Sequence, residues 1–496
     1  MMNKHTYIAI FLLTVLIIQV YISSINISSV SSPKKIIKFL SIESFNDTII
    51  ASGYITVNKR KNPIIILTKK KIATVYQFSL PYTAYFKRSK IIGGYIYSIG
   101  TIYVPNSLSY DILFVKFKPP DKIIWVKTYG SERYDSGSDF ILSSNNTFIL
   151  IGDTYSYSKL GDADILIMKT DEEGKILKSI VIGTEAYDDT ARKIKKLKDN
   201  NFMLLGETWS YNVSMSDVFL VKINNNLNIL WANSYGGPSY EEAIDLEEIR
   251  NEMWIVGVSR SFVLGGNDGF VLRLDKDGNM LSILGIGSND DDGLLTIGYE
   301  NSTVYLLGYI HLRENEQDPL IAFMNAQNGE IVNMYLLEHE GYETLTAFSK
   351  DPHLFIGKMS IGNDTIFAIK YSNNAPINKF VYYSTLQVKQ IGILKIKNFK
   401  EYITFGDWKK RKQALIKKPV SPVEWNTEGN ITYFDIPRKT SIIQTGEYVK
   451  KINWIKEIGK TLENNVPLLI MSIPFIALLL AAIILKTKKI LIRRFS

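Results

Sequence analysis

The sequence predicts an all-β protein, an eight-bladed β-propeller followed by a C-terminal transmembrane helix, and three observations carry that prediction. A Gly closes a short apolar run at Gly53, Gly100, Gly152, Gly206, Gly257, Gly308, Gly357 and Gly406, at intervals of 47, 52, 54, 51, 51, 49 and 49 residues. A second apolar run opens behind each one, at Pro63, Asp111, Asp164, Asp217, Asp268, Asp318, Asp364 and Gln413. Val466–Leu485 is a run of 20 residues without a charge. A period near fifty built only of short strands is what one four-stranded sheet per repeat produces. Seven blades is the runner-up, because the first and eighth repeats are the weakest.

The clearest units lie within residues 123–277. One reads IIWVKTYGSERYD, SDFILSS, TFILIGDTYSYSKLGD and ADILIMKTDEEG, four apolar bursts separated by Gly, Asn, Asp or Ser. The fourth burst is nearly continuous in apolar residues (DILFVKF, DILIMKT, DVFLVKI, DGFVLRL), as a strand covered on both faces requires. The first repeat lacks a convincing first strand. Trp425 falls eight residues past Lys417, as Trp125 falls eight past Phe117 and Trp231 eight past Ile223. That spacing predicts that Pro422–Glu428 supplies the missing strand and closes the ring.

Composition narrows the chemistry. The chain has 496 residues, 46 % hydrophobic and 22 % charged, a globular balance. Cys is absent, which excludes disulfides, thiolate metal sites and Cys nucleophiles. The four His are scattered, so an all-imidazole metal site is not expected. The net charge of +9 gathers in the basic C-terminus, at Lys409–Lys412 and at Arg192, Lys193, Lys195, Lys196 and Lys198. Such local runs read as solvated faces, and no nucleic-acid partner is expected.

The ends are read as targeting segments. Thr6–Ile22 follows a short basic start and precedes a Ser-rich stretch, so residues 1–32 form a signal peptide or an N-terminal anchor. Residues 33–428 are the propeller, and 429–465 a stalk in which Tyr448, Ile452, Ile455, Ile458 and Leu462 keep helical spacing. Residues 466–485 would span ~30 Å, the hydrocarbon core of a bilayer. Residues 486–496 form a basic tail that the positive-inside tendency keeps in the cytoplasm, with the propeller outside the cell.

No catalytic, cofactor or metal-binding set stands out. DKDGN at Asp275–Asn279 and NDDDG at Asn289–Gly293 resemble partial calcium loops, but position twelve from Asp275 is Ile286, and hairpins explain both. The repeat Asp reads as a turn residue accepting backbone N–H bonds; a ring of Asp around a cation is the sharper alternative. Acidic pairs such as Asp188 with Asp189, or Glu241 with Glu242, sit at turns, and nothing marks either as an acid of raised pKa. Sequons at Asn26, Asn46, Asn145, Asn212, Asn301, Asn363 and Asn430 are candidate glycan acceptors; Asn26 lies within the targeting segment.

The strings W-x-K-x-Y-G at Trp125–Gly130 and W-x-x-x-Y-G-G at Trp231–Gly237 resemble a repeat of exported bacterial and archaeal β-propeller proteins. So do the GDT and GET segments at Gly152 and Gly206 and the D-x-x-L-x-K-x-D endings. The resemblance covers residues 123–277 strongly and the rest diffusely, and Pro63 and Gln413 depart from it. It implies export or surface attachment, and no particular reaction. With the Cys-free, Ile-, Lys- and Tyr-rich composition, it leads us to expect an archaeal surface protein. Three functions follow: a non-catalytic module for a protein or glycan partner, a polysaccharide hydrolase or lyase, or a surface-layer component.

Overall fold

The computed structural model describes residues 36–370, apart from short stretches between strands, and then 396–398, 403–404, 409–412, 416–419, 423–426, 430–436 and 439–441. The signal segment, stalk, membrane span and tail expected from the sequence lie outside the described residues. So does the whole of the second unit of the chain, Ile443–Ser496. No helix among the described residues is long and apolar enough to cross a membrane.

The described chain is built from antiparallel sheets. Sheet 1 holds β1 (Ile36–Phe45), β2 (Thr48–Val57), β3 (Arg60–Lys69) and β4 (Ile72–Ser79). Sheet 2 holds β5 (Ala84–Ile92), β6 (Tyr95–Val104), β7 (Ser109–Lys118) and β8 (Lys122–Gly130). Sheet 3 holds β9 (Asp135–Leu142), β10 (Phe148–Thr154), β11 (Asp164–Thr170) and β12 (Ile176–Gly183). Sheet 4 holds β13 (Asp189–Lys196), β14 (Phe202–Thr208), β15 (Asp217–Ile223) and β16 (Ile229–Gly236). Sheet 5 holds β17 (Glu241–Ile249), β18 (Glu252–Ser259), β19 (Asp268–Asp275) and β20 (Met280–Ile286). Sheet 6 holds β21 (Gly293–Glu300), β22 (Thr303–Arg313), β23 (Glu316–Asn325) and β24 (Ile331–Leu337). Sheet 7 holds β25 (Glu343–Lys350), β26 (His353–Ile361) and β27 (Asn363–Lys370).

The first strand of each sheet packs on the sheet before it, and β1 packs on β25 and β27, so the seven form a closed ring. The core lies between consecutive sheets. Leu205 and Leu220 of sheet 4 meet Leu246, Ile255 and Leu272 of sheet 5. Phe39 and Ile64 of sheet 1 meet Leu345, Phe355 and Ile356 of sheet 7. Each such side chain contributes about 1.5–3 kcal/mol on burial. The third strands are covered on both faces, as their apolar sequences require.

Two expectations are corrected. The W-x-K-x-Y-G strand is the last, outermost strand of a sheet (β8 or β16), not the first strand of the next. With that phase sheet 1 is complete in β1–β4 and needs no strand from the C-terminus. The expected eighth blade is not formed by the described part of its sequence. Trp425 lies on a strand added outside sheet 2, opposite Thr128, and does not close the ring.

The described strands of the C-terminal segment instead lie at the outer edges of the sheets. β28 (Ile396–Asn398), β29 (Ile403–Thr404), β30 (Lys409–Lys412), β31 (Ile416–Pro419), β32 (Val423–Asn426) and β33 (Asn430–Ile436) each add one antiparallel strand. They pair in turn with β24, β20, β16, β12, β8 and β4, and β34 (Lys439–Ser441) folds back on β33. Ile396 faces Leu337, Ile403 faces Ile286, Lys410 faces Tyr235, Lys417 faces Ile182, Glu424 faces Tyr129 and Ile431 faces Phe78. The step between these facing positions is seven residues each time. These strands cover six edges that would otherwise invite pairing with another chain.

The repeat Gly has a physical cause. It sits in the second strand opposite a bulge in the first, where register shifts between Phe39 and Ser41, Phe86 and Arg88, or Ala191 and Lys193. The bulge turns a carbonyl onto the Gly, so a Cβ at Gly206 would overlap the oxygen of Thr190. Gly206→Ala is expected to destabilise the protein by more than about 2 kcal/mol, because the obstacle is backbone. A urea midpoint equal to that of the unchanged protein would remove this account.

Candidate functional site: the central cavity

The bulges set the side chains that surround the axis of the ring. Directly after the bulge, the seven first strands carry Ser41, Arg88, Asp139, Lys193, Asp245, Thr296 and Ala347. Two residues later they carry Glu43, Lys90, Ile141, Lys195, Glu247, Gly298 and Ser349. Four cations and four carboxylates are therefore set around the ring at two levels, alternating in sign at the first.

They pair across the sheet boundaries. Arg88 joins Glu43 of sheet 1 to Asp139 of sheet 3, with Nε 3.2 Å from Oδ1 of Asp139. Lys90 also reaches Asp139, at 2.8 Å. Lys193 lies 2.7 Å and Lys195 3.4 Å from Asp245, and Lys195 lies 3.0 Å from Glu247. Asp139 accepts the N–H of Ile194 at 3.1 Å, and Asp245 accepts the hydroxyl of Thr296 at 2.7 Å. Between sheets 7 and 1, Asp364 accepts the N–H of Phe39 and pairs with Lys38, both at 2.8 Å. Burial alone would raise the carboxyls of Asp139 and Asp245, yet the adjoining cations hold both below the usual carboxylate range.

These strands enclose a cavity of about 750 Å³ to which all seven sheets contribute. Arg88, Lys193, Lys195, Glu43, Asp245 and Glu247 line it, with Tyr299 and Phe348. Lys90 and Lys358 also line it, as do Lys196 and Lys350, the last two both exposed and both the last residue of their strands. The basic run from Arg192 to Lys196, expected to be a solvated face, is thus in part the wall of the cavity. Among the described residues, no group of three or more His, Asp or Glu is placed to hold a metal ion.

A second set of carboxyls lies at the junctions between sheets. An added Cβ at Gly130 would stand against the carboxyls of both Asp111 and Asp135, and one at Gly236 against those of Asp217 and Glu241. The repeat Asp is therefore buried beside the first carboxyl of the next sheet, where a turn was expected. Burial and then the neighbouring Asp135 push Asp111 up to about 7. Burial and then Asp162 and Asp189 do the same for Asp164. Burial raises Glu241 to about 7 and Asp292 to about 6, against the hydrogen bonds each accepts. Glu241, read from the sequence as an ordinary turn acid, is buried and raised.

The motif residues serve architecture. The hydroxyls of Tyr129 and Tyr235 donate to the carbonyls of Gly174 and Gly278 at 2.6 Å, in the outer hairpin of the next sheet. Asp275 accepts the N–H groups of Asp277 and Asn279 at 2.9 and 2.7 Å, so DKDGN is the hairpin the sequence suggested. In NDDDG, Asp290–Asp292 make no hairpin but lie between sheet 5 and sheet 6, where Asp291 accepts the N–H of Asn267 and Asp292 that of His311. Of the candidate glycan acceptors, Asn46 and Asn301 occupy exposed turns with φ of 51° and 49°. Asn46 also stands at the cavity lining. Asn363 opens β27 and Asn430 opens β33, whereas Asn26, Asn145 and Asn212 lie outside the described residues.

The ring charges escaped the sequence reading. Their signal is a position twelve or thirteen residues before each repeat Gly from Gly53 to Gly308, occupied by Ser41, Arg88, Asp139, Lys193, Asp245 and Thr296.

No family model matches the chain, and no curated protein matches it. Among solved structures, the β-propeller domain of the Trilobed protease from Pyrococcus furiosus is similar at 8 % identity and a TM-score of 0.42. That likeness covers 71 % of this chain and 96 % of the other, whose title describes an open velcro topology. The acylaminoacyl peptidase of Pyrococcus horikoshii gives 9 % identity and a TM-score of 0.42, covering 71 % of this chain and 52 % of that one. An ulvan lyase of a new polysaccharide lyase family, bound to a sulfated glucuronate–rhamnose unit, gives 11 % and 0.45, covering 69 % and 94 %. At these scores the fold rests on the strand pairing of this chain itself.

Proposed function

We propose that the chain is a membrane-anchored surface β-propeller that binds a protein or glycan partner through the mouth of its central cavity, with no chemistry of its own. The observation that carries this reading is the state of the cavity charges. The carboxylates at the two ring levels are tied to cations of neighbouring sheets, and Asp245 is held ionised, unlike a general acid working near neutral pH. A rigid ring with loops at the mouth is a recognition platform. The propeller belongs outside the cell on this reading, with residues 1–32 directing export, 429–465 as a stalk, 466–485 in the membrane and 486–496 inside. The repeat resemblance and an archaeal source fit that placement.

One observation favours a second reading. Glu43, Arg88, Asp245, Glu247 and Tyr299 converge on one cavity, as a polysaccharide lyase or hydrolase would need. Incubating the full chain with a panel of surface glycans separates the two readings. Retention of a glycan or an identified surface protein without turnover is expected, and turnover abolished by Glu247→Gln would reverse the assignment. For the placement, protease added to intact cells is expected to remove the propeller and leave a small membrane-embedded fragment. A protected propeller would overturn the orientation.

A further inference from the structure

We infer that the cavity mouth recognises an acidic glycan, a chain of sugars carrying carboxylate or sulfate groups, with Lys196 and Lys350 as the residues that select its charge. The inference rests on the proposed binding role and adds the chemical class of the ligand.

The wall is neutral. Arg88, Lys90, Lys193 and Lys195 are balanced one for one by Glu43, Asp139, Asp245 and Glu247, and the pairs described above use all eight. Lys196 and Lys350 remain. Both stand three residues past the bulge level, on β13 and β25, so they share one height on sheets 4 and 7, well apart around the mouth. Both are exposed, line the cavity and have no carboxylate partner among the described residues. Glu248 shares their height on sheet 5, but it is outside the lining and accepts the N–H of Lys198. Lys358, also at the lining, shares the single carboxylate of Asp364 with Lys38, at 3.8 and 2.8 Å. The lining therefore carries surplus positive charge, concentrated where a ligand enters.

The wall explains why the anion is a sugar. Sugar hydroxyls both donate and accept, and the fixed cations and carboxylates of the wall offer both functions. Tyr299 at the lining supplies a ring face for a pyranose. A nucleic acid would bring more phosphates than the surplus cations match, and an acidic peptide is the alternative that the titration below separates. A cavity of about 750 Å³ falls in the range of small-ligand sites, enough for the end of a glycan chain.

The test is calorimetric titration of the full chain in detergent with a sulfated galactan tetrasaccharide, its desulfated form, inorganic sulfate and a short poly-glutamate peptide. The sulfated sugar is expected to bind most tightly. The Lys196→Ala/Lys350→Ala variant should bind it about tenfold more weakly, a loss of about 1.4 kcal/mol, with the desulfated sugar unaffected. These lysines are exposed and hold nothing in the fold, so the variant keeps its melting temperature. Equal affinity for sulfated and desulfated sugars would overturn the acidic specificity while leaving the binding role intact. Poly-glutamate or free sulfate binding as tightly as the sulfated sugar would overturn the glycan assignment. Unchanged affinity in the double variant would overturn the site. Failure of both sugars to bind, with a protein partner retained, would overturn this inference alone; failure of every partner would take the proposed function with it.

Discussion

Asp245→Asn is expected to destabilise the propeller by about 3–5 kcal/mol, the cost of breaking a buried ion pair from one side. Asp245 is 2 % exposed and serves three sheets at once. It holds Lys193 and Lys195 of sheet 4 from its own place on sheet 5, and accepts the hydroxyl of Thr296 on sheet 6. The amide keeps the shape and part of the hydrogen bonding but leaves Lys193 without its carboxylate. Burial already lowers the pKa of Lys193, so the uncompensated charge is costly. The measurement is the urea midpoint of the variant, followed by that of the Asp245→Asn/Lys193→Met double variant. The double variant should recover much of the loss, because a neutral pair needs no compensation. Two additive single losses would show that the ion pair is not the source.

The second large effect is a stability maximum in mild acid. Asp111, Asp164 and Glu241 titrate near 7 and Asp292 near 6 in the folded chain, against about 4 when unfolded. Between those values the folded state binds more protons than the unfolded one, so stability falls as pH rises. Their protonated forms are fully favourable below about pH 4, and that advantage is gone once pH passes about 7. Asp139 and Asp245 act in the opposite sense. Their folded values are depressed, so their contribution is present above about pH 4 and is lost as acid protonates them. The melting temperature should therefore peak near pH 4 to 5 and drop by several degrees at pH 8. Asp111→Asn/Asp164→Asn, which imitates the protonated acids, should flatten the alkaline side. A melting temperature equal or higher at pH 8 would sink the idea.

Several features were legible in the chain because they repeat with the fold. The Gly beat is visible because each bulge forbids a side chain opposite it, and the third strands because both their faces are buried. The Y-G pair was visible too, although its meaning was not: Tyr129 reaches the next sheet and Gly130 makes room for Asp111 and Asp135. The cavity was not legible. Arg88 and Asp139, or Lys193 and Lys195 with Asp245, are about fifty residues apart and belong to different repeats, so no local pattern joins them.

By itself the sequence determined an all-β chain of sheets repeating about every fifty residues, since burial and close backbone approach leave their mark on each repeat. Tertiary structure decided where each sheet begins, because a periodic pattern has no origin: only pairing shows that Trp125 lies on an outer strand. It also decided that the described strands between 396 and 436 pair one by one with six different sheets, in steps of seven, and not with one another. Those strands are placed by backbone hydrogen bonds to six sheet edges, and such bonds accept almost any side chain, so they leave no signature in the sequence.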